Sequence, residues 1–250
     1  MIKVENLYKS FGDRQILKGI DIEVNTGETV AILGPSGSGK STTLRCINQL
    51  EKADSGYLTI GENRYDLSKL TKEDLRQIHS STAMVFQNFS LFENKTALNN
   101  IMLPLIKARK YSKHEAYETA ISYLEKVGLL PWKDHYPAQL SGGQAQRVGI
   151  ARALALKPSV ILFDEPTSAL DPEMVQGVLQ IIKEISNERI TSIIVTHELE
   201  FAKDVADHVV FMEDGVVLEK GKTKDVFRNP KNPRTLRFLG NFADRPEYII

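Results

Sequence analysis

Hydrophobic positions along the chain follow two spacings, which separate short strands from longer helices. A continuous apolar run at 29–33 predicts a buried strand that ends at a glycine-rich loop. Ile20, Ile22 and Val24 alternate with charged residues and therefore predict a half-exposed strand. The same criteria predict further strands at 56–60, 83–86, 160–163, 192–195, 208–212 and 216–221.

Between the early and the late strands, apolar residues recur at one-turn spacing from about 95 to 155, which predicts helices. Ser112 and Glu115 match a capping box at the start of one of them. Asp214-Gly215 is a hairpin signal between the last two strands. Strands that alternate with helices predict an α/β fold with a mainly parallel sheet, into which residues 88–156 are inserted as a helical block.

The composition is that of an ordinary globular protein and disfavours some classes of function. The 250 residues are 42% hydrophobic, and 32 Lys and Arg balance 32 Asp and Glu, so nothing indicates a broad basic face for nucleic acid. The single cysteine, Cys46, excludes an intrachain disulfide. We expect neither a signal peptide nor a membrane span, because no apolar run approaches the length of about 20 residues that a span needs.

The residues that follow the apolar run at 29–33 match a phosphate-binding loop. The stretch "GPSGSGKST" fits G-x-x-x-x-G-K-[ST] without a mismatch, between a predicted strand and a predicted helix. We expect its backbone amides to surround the β-phosphate of ATP, Lys40 to reach the β- and γ-phosphates, and the Ser41 hydroxyl to ligate Mg²⁺. A flexible strand–helix turn is the alternative. The loop comprises Gly34, Pro35, Ser36, Gly37, Ser38, Gly39, Lys40, Ser41 and Thr42.

Two carboxylates directly follow the apolar run at 160–163. They are Asp164 and Glu165 in "VILFDEP", and ligands of open α/β sheets bind at the carboxyl ends of strands. We expect Asp164 to hold Mg²⁺ and Glu165 to polarise the attacking water as general base. A solvated strand end is the alternative.

Three single residues fit the same site when they are taken together. His197 follows the strand predicted at 192–195 and is a candidate contact for the γ-phosphate. Gln87 follows the strand predicted at 83–86 and is a candidate to orient the metal or the water. Phe11 precedes Gly12 and is a candidate to stack on adenine. Alone, each of the three is consistent with a structural role.

The stretch "LSGGQ" at 140–144 places two glycines where a helix begins. Ser141 and Gln144 fit a capping box. This explains neither Gly142 nor Gly143, since a glycine costs a helix about 1 kcal/mol relative to alanine. Bare backbone amides at a helix N-terminus suit an anion that approaches closely, so capping and anion binding are both open interpretations of this stretch.

In their order and separations, these motifs resemble the ATP-binding subunits of ABC transporters. The resemblance covers nearly the whole chain and includes the phosphate loop, Gln87, "LSGGQ", "VILFDEP", "SALD" at 168–171 and His197. "LSGGQ" is the most specific motif, because other P-loop ATPases lack it. Stretches such as "VFQNFSLF" and "VTHELEFA" are similar to the group that takes up polar amino acids.

The resemblance implies a P-loop NTPase core with a mainly parallel sheet, an antiparallel β subdomain and a helical subdomain. Residues 1–87 and 157–250 then form the core with the antiparallel subdomain. Residues 88–156 form the helical subdomain that carries "LSGGQ".

The resemblance also implies the partners and the mechanism. Two copies form a head-to-tail dimer that closes around two ATP molecules and reopens after hydrolysis. The anion that faces Ser141, Gly142, Gly143 and Gln144 is then the γ-phosphate bound by Lys40 of the other copy. Further implied partners are membrane-spanning permease subunits and, indirectly, a solute-binding protein, at the cytoplasmic face of the cell membrane, with the ATPase as a peripheral subunit.

Three other classes of function share parts of this pattern. An ABC ATPase for export or lipoprotein release has the same sites and differs only in its membrane partner. A soluble ABC ATPase of DNA repair or translation usually has two cassettes or a long coiled-coil insertion, and neither is visible in this sequence. The presence of both Glu165 and His197 disfavours a non-hydrolysing nucleotide-binding module.

The stretch "QNFSLF" at 87–92 places Phe89, Leu91 and Phe92 just after Gln87. One interpretation of this apolar cluster is core filling. The resemblance favours a different one, because the family docks a short cytoplasmic helix of its membrane subunit near this point.

Overall fold

The computed structural model describes residues 1–240, so the last ten positions of the predicted core segment 157–250 lie outside the described residues. The strands are β1 (Ile2–Phe11), β2 (Arg14–Val24), β3 (Thr29–Leu33), β4 (Ser55–Ile60), β5 (Asn63–Asp66), β6 (Thr82–Val85), β7 (Val160–Asp164), β8 (Ser192–Val195), β9 (His208–Glu213) and β10 (Val216–Lys222). The helices are α1 (Lys40–Ile47), α2 (Lys72–Ser81), α3 (Ala97–Ala108), α4 (Lys113–Lys126), α5 (Gly142–Ala155), α6 (Pro172–Asn187), α7 (Leu199–Val205), α8 (Thr223–Arg228) and α9 (Pro233–Leu239).

These strands form two sheets of different character. The larger has the order β10-β9-β3-β8-β7-β6 and is parallel except for the pairing of β10 with β9. The smaller has the order β2-β1-β4-β5 and is antiparallel throughout. The predicted α/β fold, with a mainly parallel sheet and a separate antiparallel part, is confirmed.

The larger sheet is covered on both faces, which explains why its central strands are continuously apolar. Along β7, Leu162 packs into the core shared with the smaller sheet and α1. Its neighbours Ile161 and Phe163 point to the other face, where they pack among residues of α3, α4, α5 and α6. Because all three side chains are fully buried, this strand stabilises both layers at once.

Predicted strand positions agree with the structure wherever an apolar run is continuous. The runs at 29–33 and 192–195 coincide with β3 and β8, and the run predicted at 83–86 starts one residue late relative to β6. Elements with little buried surface were not predicted. Tyr65 is the only buried residue of β5, and Ile78 is the only buried residue of α2, so neither element has an apolar period to recognise.

Candidate functional site

Four neighbouring parallel strands end at one edge of the larger sheet, and a predicted site residue lies at each end. The phosphate loop follows β3, His197 follows β8, Asp164 ends β7 with Glu165 next, and Gln87 lies beyond β6. The strands are adjacent in the order β3-β8-β7-β6. Residues that are distant in the sequence therefore meet at the carboxyl edge, where open α/β sheets bind their ligands.

The phosphate loop has a backbone that only glycine accommodates at two of its positions. Gly34 and Gly39 have φ of 144° and 98°, in the left-handed half of conformational space. A Cβ on Gly34 would lie 1.9 Å from the carbonyl oxygen of Met212, and one on Gly39 would lie 2.7 Å from Leu17 Cδ2. The loop is thus packed directly against β9 and β2, and its shape is fixed by these neighbours.

Lys40, the first residue of α1, is buried with its ammonium group turned into the loop. Its Nζ donates hydrogen bonds of 2.9 Å to the carbonyl oxygens of both Gly34 and Pro35. Burial lowers the pKa of Lys40, and the nearby carboxylates of Glu165 and Asp164 act in the opposite direction. A buried cation inside a loop of backbone groups suits an anionic partner such as a phosphate.

Asp164 is a buried carboxylate whose hydrogen bonding is incomplete within the described residues. Its Oδ1 and the hydroxyl of Ser38 are among the few buried side-chain polar atoms of residues 1–240 without a hydrogen-bond partner. Its Oδ2 lies 3.5 Å from an Nη atom of the half-exposed Arg45 on α1. Buried polar groups are nearly always bonded, so an unpaired carboxylate oxygen at a strand end fits a metal ligand. Arg45 was not predicted from the sequence, because its contact with Asp164 joins two segments that share no local pattern.

Glu165 and His197 form a pair across the ends of β7 and β8. Glu165 Oε1 lies 3.0 Å from His197 Nε2, and the Glu165 backbone N–H donates to the Val195 carbonyl oxygen at 3.0 Å. Glu165 has φ of 48°, a conformation that is strained for a residue with a side chain and is concentrated at functional sites.

Helix α5 begins at the two glycines of "LSGGQ", and its cap has the predicted geometry. Ser141 Oγ accepts a hydrogen bond from the Gln144 backbone N–H at 3.2 Å, and Gln144 Oε1 accepts one from the Ser141 N–H at 2.8 Å. The capping box is confirmed. The capping box uses the backbone N–H of Gln144 as a donor. The backbone N–H groups of Gly142 and Gly143, in the first turn, have no acceptor within the helix.

The same two glycines also have a packing role that the sequence did not indicate. A Cβ on Gly142 would lie 3.2 Å from Leu170 Cδ2, and one on Gly143 would lie 3.0 Å from Met174 Cβ. A side chain at Gly142 would crowd Leu170, just before α6, and one at Gly143 would crowd Met174 in the first turn of α6. Any substitution here therefore has an intrachain effect, which must be separated from an effect on an anion.

The chain is similar to known proteins of one family. A family model described as "ABC transporter" matches residues 17–168. The L-cystine import ATP-binding protein TcyN of Bacillus subtilis (strain 168) is 50% identical over 250 residues, which are 100% of this chain and 96% of that protein. This chain belongs to the ABC transporter family. It is one of the family's ATP-binding proteins, an ATPase.

Two further similarities place this ABC ATPase among relatives of its own size and shape. The glutamine transport ATP-binding protein GlnQ of Bacillus subtilis (strain 168) is 50% identical over 244 residues, covering 98% of this chain and 100% of that protein. The solved structure titled a dimeric post-hydrolysis state of the ATP-binding cassette MJ0796 with ADP and Pi has a TM-score of 0.79 and 36% identity. It covers 89% of this chain and 99% of that chain.

Gln87 and Phe11 lie in different surroundings in the ABC ATPase. Gln87 is exposed just beyond β6, at the edge where the other predicted residues meet. Phe11 ends β1 in the smaller sheet and is 48% exposed, with Lys9 Nζ 4.5 Å from its ring centroid. Because the Phe11 ring is partly exposed, a planar ligand has room to stack on it. The contact of Phe11 with adenine stays a prediction.

An apolar groove of about 410 Å³ opens beside the segment that follows Gln87 in the ABC ATPase. Phe92 and Leu50 line it and are 45% and 50% exposed, so two large apolar side chains lie on an open surface. Leu91 packs instead against the core of the helical block. The cluster predicted at 87–92 is therefore divided: Leu91 fills the core, whereas Phe92 faces the groove.

Within residues 1–240, no helix combines the length and the apolar character that crossing a membrane requires.

Proposed function

We propose that this ABC ATPase energises the import of a polar amino acid through membrane-spanning permease subunits. The observation that carries ATP hydrolysis in this proposal is the edge of the larger sheet, where the phosphate loop, Asp164 and the Glu165–His197 pair converge. The relatives named for L-cystine and for glutamine are equally similar to this chain, at 50% identity each. That similarity supports an amino acid as the solute and favours neither of the two.

The proposed division of the chain separates a core that contains both sheets from a helical subdomain. We assign residues 1–87 and those from 157 onwards to a core with an antiparallel β subdomain, and residues 88–156 to a helical subdomain. Support comes from the separate antiparallel sheet and from the direct packing of α3, α4 and α5 against one another.

In the proposed site, the nucleotide is held from three directions. Lys40 exchanges its bonds to the Gly34 and Pro35 carbonyls for bonds to the β- and γ-phosphates, which are stronger acceptors because they are charged. The backbone amides of the loop from Gly34 to Thr42 surround the phosphates. Phe11 stacks on the adenine ring.

The residues also fit a Mg²⁺ ion, whose ligands are preferentially hard oxygens. We propose that the Ser41 hydroxyl, the Asp164 carboxylate and the Gln87 amide oxygen hold it, directly or through water. The unpaired Oδ1 of Asp164 is the structural support for this assignment. When bound, Mg²⁺ neutralises charge that develops on the phosphate oxygens.

The proposed hydrolysis depends on Glu165 as general base. The carboxylate accepts a proton from a water molecule whose oxygen attacks the γ-phosphorus, and the bond from that phosphorus to the β–γ bridging oxygen breaks. The products are ADP and phosphate. His197, 3.0 Å from Glu165 Oε1, holds the carboxylate in place and contacts the γ-phosphate.

The proposed active form is a dimer of two copies arranged head to tail. Each α5 directs the amides of Gly142 and Gly143, with Ser141 and Gln144, at the γ-phosphate bound to Lys40 of the partner subunit. A helix N-terminus favours an anion through its free amides and its dipole. The similarity to a dimeric cassette structure supports this arrangement.

The proposed location is peripheral, at the cytoplasmic face of the cell membrane. The apolar groove with Phe92 and Leu50 takes a short helix of the permease, and a solute-binding protein delivers the amino acid to that permease. Affinity purification from solubilised membranes tests this location. We expect a multi-span membrane protein to co-purify with the chain, whereas recovery of the chain alone would favour a soluble ABC ATPase.

We predict that Lys40→Ala weakens ATP binding by about 10–100-fold, because hydrogen bonds to charged groups contribute about 1.5–3 kcal/mol each. Lys40 contacts the phosphates within one subunit, so the loss appears without dimerisation. Titration of the monomer with a fluorescent ATP analogue measures it. The exposed Lys52 provides the control Lys52→Ala, and an unchanged affinity for Lys40→Ala would refute the phosphate-loop assignment.

We predict that Phe92→Ala uncouples the ATPase from its membrane partner. The basal ATPase activity should persist. Stimulation by the permease and solute transport should fall severalfold, because the substitution removes the aromatic ring against which the permease helix packs. Assays in liposomes measure both quantities. The similarly exposed Tyr117 on α4 provides the control Tyr117→Ala. Full transport by Phe92→Ala would refute the role of Phe92 as an anchor, and loss of folding would show that Phe92 stabilises the chain instead.

A further inference from the structure

The segment 86–92, which joins Gln87 to the apolar groove, contains a strained turn. Phe89 and Ser90 have φ of 56° and 48°, so two consecutive residues with side chains adopt the left-handed conformation. Such residues persist only where surrounding contacts fix them. The contacts that fix this turn come from α5.

Arg152 on α5 holds the two strained residues directly. Its Nη1 donates to the Ser90 carbonyl oxygen at 2.9 Å, and its Nη2 donates to the Phe89 carbonyl oxygen at 3.4 Å. A planar guanidinium reaches two acceptors at once without reorienting. The left-handed turn places both carbonyl groups on the side that faces Arg152.

A second residue of α5 holds the segment on the other side of Gln87. The buried Gln146 donates from Nε2 to the Phe86 carbonyl oxygen at 3.1 Å. Gly149 lies on the same helix face, where a Cβ would be 3.4 Å from the carbonyl oxygen of Phe89. Gln87 therefore lies between Phe86 and Phe89, whose backbone carbonyl oxygens each accept a hydrogen bond from a side chain of α5.

Arg152 also reaches the apolar groove. Its Cζ lies 5.8 Å from the ring centroid of Phe92, and Arg152, Phe92 and Ser90 all line the groove. A guanidinium at this distance from an aromatic face is within the range of a cation–π interaction. One side chain thus contacts both the strained turn and the ring that we propose as the docking anchor.

We propose that Arg152 is a positioning residue, which holds Gln87 in place for ATP hydrolysis by fixing the strained turn at Phe89 and Ser90. This inference rests on the proposed function, in which Gln87 orients the metal or the water. Because α5 also begins with Gly142 and Gly143, the same contacts link the start of α5 to Gln87 and to the groove.

The test is a double-mutant cycle on ATP hydrolysis by the chain bound to its permease in liposomes. Arg152→Lys keeps the positive charge but loses the planar guanidinium that donates to two carbonyl oxygens at once. We expect kcat to fall about tenfold or more with the KM for ATP unchanged, since a misplacement of about 1 Å costs up to about 100-fold. In a Gln87→Ala background, the same substitution should change kcat less than about twofold, because residues in one network are not additive.

The exposed Arg76, which pairs with Glu73 on α2, provides the control Arg76→Lys, and we expect no change from it. Additive effects of Arg152→Lys and Gln87→Ala would overturn the role of Arg152 while leaving the proposed function intact. A wild-type complex without ATPase activity would overturn both.

Ser90→Gly separates positioning from folding. Glycine removes the strain at this position, so it should restore the thermal stability of Arg152→Lys if that variant is destabilised. We expect kcat to remain low in the double variant, because a relaxed turn does not hold Gln87. Recovery of kcat together with stability would show that Arg152 serves folding alone and would overturn the proposal.

Discussion

Replacing Glu165 by Gln is expected to lower ATP turnover by about 10²–10⁴-fold while ATP binding persists, because removal of a general base has an effect of this size. The amide keeps the size of the side chain and the strained backbone at φ 48°, so the fold should be unaffected. Its neutral charge also removes repulsion between the carboxylate and the γ-phosphate. ATP should therefore trap a stable dimer.

Size-exclusion chromatography with Mg-ATP and a phosphate-release assay measure the two parts of this result. Glu118→Gln on the exposed face of α4 is the matched control and should behave like the wild type. If Glu165→Gln stays monomeric with ATP, or hydrolyses ATP at the wild-type rate, the general base has been assigned to the wrong residue.

The second large effect is expected at the start of α5. Gly143→Asp should bind ATP as a monomer and yet fail to dimerise or to hydrolyse ATP. Its carboxylate would face the γ-phosphate held by the partner subunit, and like charges a few ångströms apart in a desolvated site cost several kcal/mol. Equilibrium sedimentation with Mg-ATP, combined with an ATPase assay, measures both losses.

Gly143→Asn isolates the charge from the packing. A Cβ at Gly143 lies 3.0 Å from Met174 Cβ, so Asp and Asn crowd the start of α6 to the same extent. If Gly143 serves only the cap and the packing, the two variants will be equally destabilised and equally active. A much larger loss with Asp than with Asn would come from the facing phosphate.

A mixed dimer shows whether the site is shared between copies. When a Lys40→Ala subunit pairs with a Gly143→Asp subunit, both lesions fall in one composite site, and the other site keeps Lys40 and Gly143 intact. Some ATP-driven closure should then return. If each subunit used its own Gly143, no pairing would restore closure.

Strands were predictable from the sequence where consecutive residues are all apolar, because each of those residues is buried. The runs that form β3 and β8 are apolar at every position except for a terminal Thr or Ser, because both faces of the sheet are covered. By contrast, β5 and α2 bury one residue each. Such elements form through contacts with distant segments, and a local pattern does not encode those contacts.

The same distinction applies to the candidate site. Residues at strand ends were predictable, because parallel strands place their carboxyl ends at one edge, and the structure brings Asp164, Glu165 and His197 to that edge. The contact of Arg45 with Asp164 was not predictable, and neither was the packing of Gly143 on Met174. Each of these contacts joins segments that are far apart in the sequence.

Uptake by a reconstituted complex shows whether ATP hydrolysis by this chain drives solute transport through a permease. The liposomes contain the chain and its permease, with ATP enclosed and a solute-binding protein and labelled amino acid outside. We predict uptake that requires enclosed ATP and is abolished when Glu165→Gln replaces the wild-type chain. Equal uptake without ATP, or with the Glu165→Gln chain, would show that ATP hydrolysis by this chain does not drive the transport.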